Sequence, residues 1–339
     1  MQFTISPVEM KTEILANVSK GLVPYFKSSP GIGKSSIVKQ TMKEANLLVI
    51  DIRLPQYTPE DLQGYAMANG NKATFRPFDT FPLEGDPIPD GYDGWCILFD
   101  ELSSTPKQVQ AAAYKIIFDK MVGSYKLHAN VAIVCAGNLA TDKAVVVPMS
   151  TALQSRLIHY TLVPSVKDFN GYAHSIDLDH RIIGFLNYMP NKLMDFDPDH
   201  QDYTFACPRT WEFINLHIKG EDMSAIPPAR LAGTIGTGTA VEFMTFVKEY
   251  DRIPKLDAII ADPIYTPVPV ELSSKYATVS MLMTQHTENT ISSIIKYVER
   301  FDIEFQIIFG RSAIIKSPHL HINNTDFQSF MQKLTKYLA

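Results

Sequence analysis

Residues 28–35 read Ser-Ser-Pro-Gly-Ile-Gly-Lys-Ser, and this stretch decides the fold of the chain. An apolar run at residues 22–26 precedes it and predicts a buried strand, while residues 36–44 follow it with the apolar spacing of a helix. Glycines let successive backbone N–H groups point at one anion, and the start of a helix adds partial positive charge there. The stretch therefore predicts a phosphate-binding loop between a strand and a helix.

Two residues of this loop, Lys34 and Ser35, have individual expected roles. Lys34 is expected to reach the terminal phosphates, and the Ser35 hydroxyl is expected to bind Mg²⁺. The predicted nucleotide-binding residues are Pro30, Gly31, Ile32, Gly33, Lys34, Ser35 and Ser36. Ser28 stands where the general pattern has glycine, so it needs allowed backbone angles or local hydrogen bonds that hold it. The alternative is a surface turn before a helix, which the Gly-Lys-Ser ending after a strand disfavours.

A second motif, Trp-Cys-Ile-Leu-Phe-Asp-Glu, occupies residues 95–101. An apolar run that ends in two carboxylates predicts a buried parallel strand with Asp100 and Glu101 at its carboxyl end, where open α/β sheets bind ligands. Asp100 is expected to act through water on Mg²⁺ near Ser35, and Glu101 to orient and deprotonate the attacking water. The alternative is a strand that ends in a solvated acidic turn.

Polar residues also border two later strands. Residues 131–136 predict a buried strand leading to Asn138, whose amide can bind the catalytic water or terminal phosphate, or can stabilise its own turn. Residues 150–157, Ser-Thr-Ala-Leu-Gln-Ser-Arg-Leu, precede a fifth strand at 158–163. Taken alone, Arg156 in this segment would be read as a surface ion-pair residue.

Composition excludes several classes of protein. Hydrophobic content of 45% and charged content of 20% are typical of a soluble globular chain, and the net charge of −5 disfavours bare nucleic acid as the main partner. Cys96, Cys135 and Cys207 fit no metal-site spacing. The sequence has no signal-like segment and no apolar run that would span a bilayer, so it predicts a cytoplasmic protein with no membrane partner.

Beyond residue 164 the apolar pattern becomes helical. Helices are predicted at residues 181–189, 210–218, 273–284, 290–301 and 326–338. A glycine-rich stretch at 230–240 predicts a helix–turn–helix and not a second nucleotide site, because no strand precedes it and it lacks Gly-Lys-Ser. The expected domains are an α/β nucleotide-binding core at 1–164, an α-helical lid at 165–250 and a helical C-terminal extension at 251–339.

In this order, the motifs Pro-Gly-Ile-Gly-Lys-Ser, Phe-Asp-Glu-Leu, Ala-Gly-Asn and Leu-Gln-Ser-Arg-Leu resemble those of the AAA+ ATPases. Residues 57–64, Tyr-Thr-Pro-Glu-Asp-Leu-Gln-Gly, and the Asn-Gly hairpin at 69–70 resemble the MoxR-like branch of that family. Residues 206–212, Ala-Cys-Pro-Arg-Thr-Trp-Glu, resemble the start of its lid helix. The resemblance covers residues 22–211 and implies an AAA+ P-loop core with a parallel sheet flanked by helices, followed by the lid and the extension.

The resemblance also implies roles for single residues outside the two nucleotide motifs. Asn138 matches sensor 1, and Arg156 matches the arginine finger that acts on the nucleotide of a neighbouring subunit. Arg209 matches sensor 2, which contacts the γ-phosphate from the lid.

For the whole protein, the resemblance implies ATP and Mg²⁺ as cofactors and Mg²⁺-dependent hydrolysis of ATP. It implies a homo-oligomeric ring of six subunits that remodels or assembles a protein client, a partner with a von Willebrand A-type domain. Two alternatives stay open. One is a nucleotide-dependent assembly module without hydrolysis, which Glu101 disfavours. The other is a nucleic-acid motor or loader on the same core, which the acidic balance disfavours.

Overall fold

The chain folds into two compact units, Met1–Val163 and Pro164–Ala339. The computed structural model describes residues 3–142, 147–200 and 202–338, apart from the side chains of residues 321 and 338. Each unit has a hydrophobic core of its own.

The first unit is built around a parallel β-sheet. The strands of the unit are β1 (Thr4–Ile5), β2 (Pro24–Ser28), β3 (Leu47–Arg53), β4 (Tyr65–Asn69), β5 (Lys72–Arg76), β6 (Gly94–Asp100), β7 (Met121–Val122), β8 (Tyr125–Lys126), β9 (Val131–Asn138) and β10 (Ile158–Leu162). Its helices are α1 (Pro7–Val18), α2 (Lys34–Glu44), α3 (Pro59–Gln63), α4 (Lys107–Asp119) and α5 (Thr151–Gln154). In the described ranges, six strands form the main sheet in the order β1-β10-β2-β9-β6-β3, and each neighbouring pair is parallel.

The register of the sheet brings the predicted site residues to one edge. β6 is buried along its whole length up to the half-buried Asp100, as expected for a central parallel strand that carries a continuous apolar run. Ser28 of β2 lies opposite Asn138 of β9, and β9 in turn pairs with β6. The carboxyl ends of β2, β9 and β6 therefore meet where ligands bind in open α/β sheets.

Several predicted boundaries differ from the observed ones. β2 extends to Ser28, and α2 begins at Lys34, two residues earlier than predicted. Pro106 occupies the N-cap position of α4, and neither Ser104 nor Thr105 caps this helix. The Thr105 hydroxyl instead donates to the backbone oxygen of Glu101 at 2.9 Å.

The second unit is helical and contains one continuous hydrophobic core. Its helices are α6 (Val166–Ser175), α7 (His180–Tyr188), α8 (Pro208–Ile218), α9 (Pro228–Ile235), α10 (Thr237–Val247), α11 (Leu256–Ala261), α12 (Leu272–Gln285), α13 (Ile291–Val298), α14 (Ile303–Lys316), α15 (Leu320–Asn323) and α16 (Thr325–Leu338). The core includes Phe185 and Phe243 before residue 250 and Leu282 and Phe309 after it. The predicted lid and extension therefore share a core, and their division at residue 250 stays a prediction.

The helix–turn–helix predicted at residues 230–240 is confirmed by α9 and α10, which meet at Gly236 with φ +82°. Helix α14 was not predicted. Its apolar residues lie on most sides of the helix and leave no clear amphipathic stripe in the sequence.

Two histidines with buried Nε2 atoms are expected to make the second unit sensitive to acid. The Nε2 atoms of His174 and His286 are buried and have no hydrogen-bond partner in the described part of the chain. Burial, with a smaller contribution from the Lys316 ammonium, lowers the pKa of each imidazole to about 4. Burial also lowers the pKa of Lys316 itself, against the opposing effect of Asp177. Between pH 6.5 and 4 the unfolded chain binds these protons and the folded chain does not. The free energy of unfolding should therefore decrease as the pH is lowered from 6.5 to 4, by up to about 1.4 kcal/mol per pH unit for each histidine.

The two tryptophans allow this loss to be measured in the second unit alone. Trp95 lies in the first unit and Trp211 in the second, so a Trp95→Phe variant reports the second unit through Trp211 fluorescence. Its urea midpoint should fall from pH 6.5 to pH 4.5. This decrease in the urea midpoint should be smaller when His174 and His286 are both replaced by glutamine. In the control His200→Gln, which changes an exposed histidine, the decrease should equal that of the parent variant. An equal response with and without the two buried histidines would contradict the prediction.

Candidate functional site

The loop after β2 has the backbone geometry of an anion site. Gly31 and Gly33 have φ values of +82° and +103°, in a region that glycine enters without steric cost. Gly33 is the N-cap of α2, and no side chain caps the first N–H groups of that helix. An anion placed there would meet these N–H groups and the positive end of the helix dipole.

Lys34 is buried, with 8% of its surface exposed, and its ammonium lies inside the loop. Its Nζ donates to Ser28 Oγ at 2.8 Å, to Ser28 O at 3.2 Å and to Asn138 Oδ1 at 3.3 Å. These acceptors and Ser29 O, at 3.4 Å from Nζ, are neutral oxygens, and a phosphate oxygen would be a stronger partner for the ammonium than any of them.

Ser28, the departure from the general motif, is accommodated without a positive φ. It is the last residue of β2, and its hydroxyl donates to Ser29 O at 2.8 Å while it accepts from Lys34. The serine therefore keeps strand geometry and gives the Lys34 ammonium a partner that glycine could not supply.

The two oxygen groups predicted to bind Mg²⁺ are in direct contact. Ser35 Oγ donates to Asp100 Oδ2 at 2.5 Å, and Asp100 Oδ1 accepts from the Glu101 backbone N–H at 2.8 Å. A hydroxyl and a carboxylate are the hard oxygen donors that Mg²⁺ prefers, so these residues fit the ion. In the described residues no group of three or more His, Cys, Asp or Glu could hold a metal. Mg²⁺ in proteins usually keeps several waters and binds substrate phosphates besides one or two protein oxygens.

Glu101 occupies a turn that its surroundings hold in an uncommon conformation. Its φ and ψ are +59° and +30°, a left-handed conformation that a residue other than glycine adopts only when its neighbours hold it. The hydrogen bonds from its N–H to Asp100 and from the Thr105 hydroxyl to its carbonyl supply that constraint. Glu101 therefore leaves the sheet beside Asp100, at the same edge as Lys34.

Asn138 ends β9 at this edge. Its Oδ1 accepts from Lys34, and its backbone N–H donates to Ser103 Oγ at 2.8 Å. The structure thus brings Lys34, Ser35, Asp100 and Asn138 together, while their catalytic roles stay predictions.

Arg156 lies at the opposite edge of the sheet. It comes two residues before Ile158, which pairs in parallel with Pro24, the first residue of β2. Ser28 lies four residues further along β2, or roughly 13 Å at the rise of a strand. Arg156 is therefore at the amino end of the sheet, away from its own phosphate loop.

The Arg156 guanidinium is held by its own chain. Its Cζ lies 4.1 Å from the Phe118 ring centroid and 5.1 Å from that of Tyr114. One terminal nitrogen donates to Ala152 O at 2.8 Å, and the buried Nε has no hydrogen-bond partner in the described ranges. No carboxylate forms a salt bridge with this arginine in the described part of the chain.

Arg209 belongs to the second unit, where it is exposed in the first turn of α8, after Pro208. Its role as sensor 2 stays a prediction. The three cysteines are buried, and burial raises the pKa of the Cys96 thiol to about 12. None of the described helices combines the length and the apolarity needed to cross a membrane.

Two residues of the site were missed by sequence reasoning. Ser103 and Tyr25 are buried next to Asn138, and Ser103 is its direct hydrogen-bond partner. No motif marks them, because the contact depends on the register between β2 and β9 and on the turn after β6.

Neither a protein-family model nor a curated protein matches the chain. Among solved structures, it is similar to a "putative ATPase" of Cytophaga hutchinsonii, with 13% identity, a TM-score of 0.36, and coverage of 97% of this chain and 90% of that one. It is also similar to a full-length MCM homologue of Methanopyrus kandleri, with 14% identity, a TM-score of 0.30, and coverage of 44% of this chain and 33% of that one. Likenesses this distant do not bear on function. The observed sheet and helices themselves define the fold, which is an α/β P-loop core followed by a helical C-terminal part.

Proposed function

We propose that the chain is an AAA+ ATPase of the MoxR-like kind that binds Mg²⁺ and ATP at the carboxyl edge of its parallel sheet and hydrolyses the terminal phosphate. The observation that carries this proposal is the convergence of three strand ends on one point. Ser35 Oγ contacts Asp100 at 2.5 Å, and Lys34 Nζ contacts Asn138 at 3.3 Å. A cation, a hydroxyl, a carboxylate and an amide at the start of an uncapped helix are the groups that phosphoryl transfer requires.

The residues divide the chemistry between them. Lys34 and the first N–H groups of α2 would hold the β- and γ-phosphates. Ser35 and, through water, Asp100 would hold Mg²⁺, which when bound neutralises phosphate charge. Glu101 would take one proton from a water whose oxygen bonds to the γ-phosphorus, and Asn138 would orient that water. The bond between the γ-phosphorus and the bridging oxygen of the β-phosphate would break, and ADP would leave with the electron pair of that bond.

Assembly is part of the same proposal. Because Arg156 lies at the edge opposite its own phosphate loop, a guanidinium contact with nucleotide requires a second copy of the chain. We therefore propose a homo-oligomeric ring. The number six, the protein client with a von Willebrand A-type domain, the sensor role of Arg209 and the cytoplasmic location rest on the sequence and the family resemblance alone.

Removing the Lys34 ammonium tests nucleotide binding. Lys34→Ala should weaken the binding of a fluorescent ATP analogue roughly 10- to 100-fold, because a hydrogen bond to a charged group contributes about 1.5–3 kcal/mol. Lys43→Ala is the matched control, since Lys43 is exposed on the same helix, and it should change the Kd less than twofold. A wild-type chain that binds no ATP at millimolar concentration would overturn the proposed function.

A further inference from the structure

We propose that Tyr25 and Ser103 are positioning residues for hydrolysis, which form a buried hydroxyl bridge that holds Asn138 and the Glu101 turn in a fixed relation. This inference rests on the proposed function and adds two residues that touch neither nucleotide nor metal.

The bridge is centred on one hydroxyl. Ser103 lies two residues after Glu101, in a short 3₁₀ turn, and only 4% of its surface is exposed. Its Oγ accepts the backbone N–H of Asn138 at 2.8 Å, and the Tyr25 hydroxyl lies beside it at the backbone of Gly137. Tyr25 is 2% exposed, and burial raises its pKa to about 12, so its hydroxyl stays protonated at neutral pH. The Ser103 hydroxyl thus joins the exit of β6 to the end of β9, and Tyr25 of β2 packs beside both.

The glycine before Asn138 shows how closely the bridge is built into the sheet. A Cβ atom on Gly137 would lie 2.4 Å from Tyr25 Oη and 2.7 Å from Ser103 Oγ. The ring atom Cε2 of Tyr25 would be 3.0 Å from it. The two side chains therefore occupy the space that any other residue would need, and Gly137 is required by this contact and not by a turn.

The other side of the bridge is held by hydrogen bonds to backbone oxygens. Ser103 O accepts from Val147 N at 2.7 Å, and the Gln110 side-chain amide donates to Thr105 O at 3.0 Å. The same turn holds Glu101 in its left-handed conformation. Since Ser103 cannot move without this turn, its hydrogen bond ties the position of Asn138 to that of Glu101.

Loss of the bridge should affect the chemical step more than nucleotide binding. Lys34 and the phosphate loop stay in place, whereas the Asn138 amide loses its anchor. Misplacement of a catalytic group by about 1 Å can cost about 10²-fold in rate. We expect Tyr25→Phe to lower kcat about 10-fold and Ser103→Ala somewhat more, with KM for ATP changed less than threefold. Tyr160→Phe is the matched control, because Tyr160 is also a hydrogen-bonded tyrosine of the sheet, on β10.

A double-mutant cycle separates positioning from general stability. If Tyr25 acts through Asn138, then Tyr25→Phe should lower kcat in the wild type but not in an Asn138→Ala background. Ser103→Thr, which keeps the hydroxyl, should restore most of the rate lost in Ser103→Ala.

Two outcomes would overturn the inference. One is a kcat within twofold of wild type in both Tyr25→Phe and Ser103→Ala. The other is an equal loss of kcat when Tyr25→Phe is made in the wild type and in the Asn138→Ala background, since an equal loss indicates a structural effect. A wild type that binds ATP without hydrolysing it would instead overturn the proposed function, and the positioning role would fall with it.

Discussion

Glu101→Gln should lower steady-state phosphate release by about 10² to 10⁴-fold while ATP stays bound, because glutamine keeps the size of the side chain but cannot take a proton from water. The backbone turn at Glu101 is held by contacts of its N–H and carbonyl, which the substitution leaves in place. Phosphate release at saturating ATP measures the chemical step, and titration with a fluorescent analogue measures binding.

Two comparisons make this result specific. Glu84→Gln changes an exposed carboxylate of the same unit and should leave both measurements unchanged. Asp100→Asn should mainly raise the Mg²⁺ concentration needed for half-maximal activity, since Asp100 is the carboxylate in contact with Ser35. If Glu101→Gln and wild type release phosphate at the same rate, Glu101 is not the base and the enzyme hypothesis fails. A wild type that assembles with ATP but releases no phosphate would favour the module without hydrolysis.

The sheet and the phosphate loop could be predicted because their signals are local. A buried parallel strand is a continuous apolar run, and its carboxyl end carries the polar residues. β6 is such a run, and Asp100 follows it directly. The positions of Lys34 and Ser35 follow from the loop itself, because two glycines with positive φ lead straight into α2.

The missed features depend on contacts between distant segments. Ser103 meets Tyr25 only because β2 and β9 are neighbours in the sheet. The aromatic contact of Arg156 depends on α4, from which it is separated by three strands in sequence. Helix α14 is apolar on most sides, so its sequence indicates burial but does not indicate which face contacts the core. In each case, residue type alone is compatible with several neighbours, and the fold selects one of them.

Arg156→Ala should lower kcat by about 10³ to 10⁵-fold, the range found where an arginine supplied in trans stabilises the transition state of phosphoryl transfer. Nucleotide affinity should change little, because Arg156 lies at the edge of the sheet opposite the loop that would hold the phosphates. The contact with Phe118, at 4.1 Å, is worth about 1 kcal/mol at a partly exposed site, so a neighbouring anion could displace it. Arg156→Lys should recover only part of the rate, since lysine lacks the planar fork of donors.

Mixing two inactive variants decides whether Arg156 acts within its own chain or on a neighbour. Arg156→Ala subunits keep Glu101, and Glu101→Gln subunits keep Arg156. In a head-to-tail ring of equal parts, about one quarter of the interfaces combine an intact Glu101 with an intact Arg156 from the next subunit. Activity should therefore return to about a quarter of wild type, and activity per wild-type subunit should rise with protein concentration. If the two variants exchange subunits, as shown by mass measurement, and no activity returns, then Arg156 does not complete a neighbour's site. The ring would then have no catalytic reason to form.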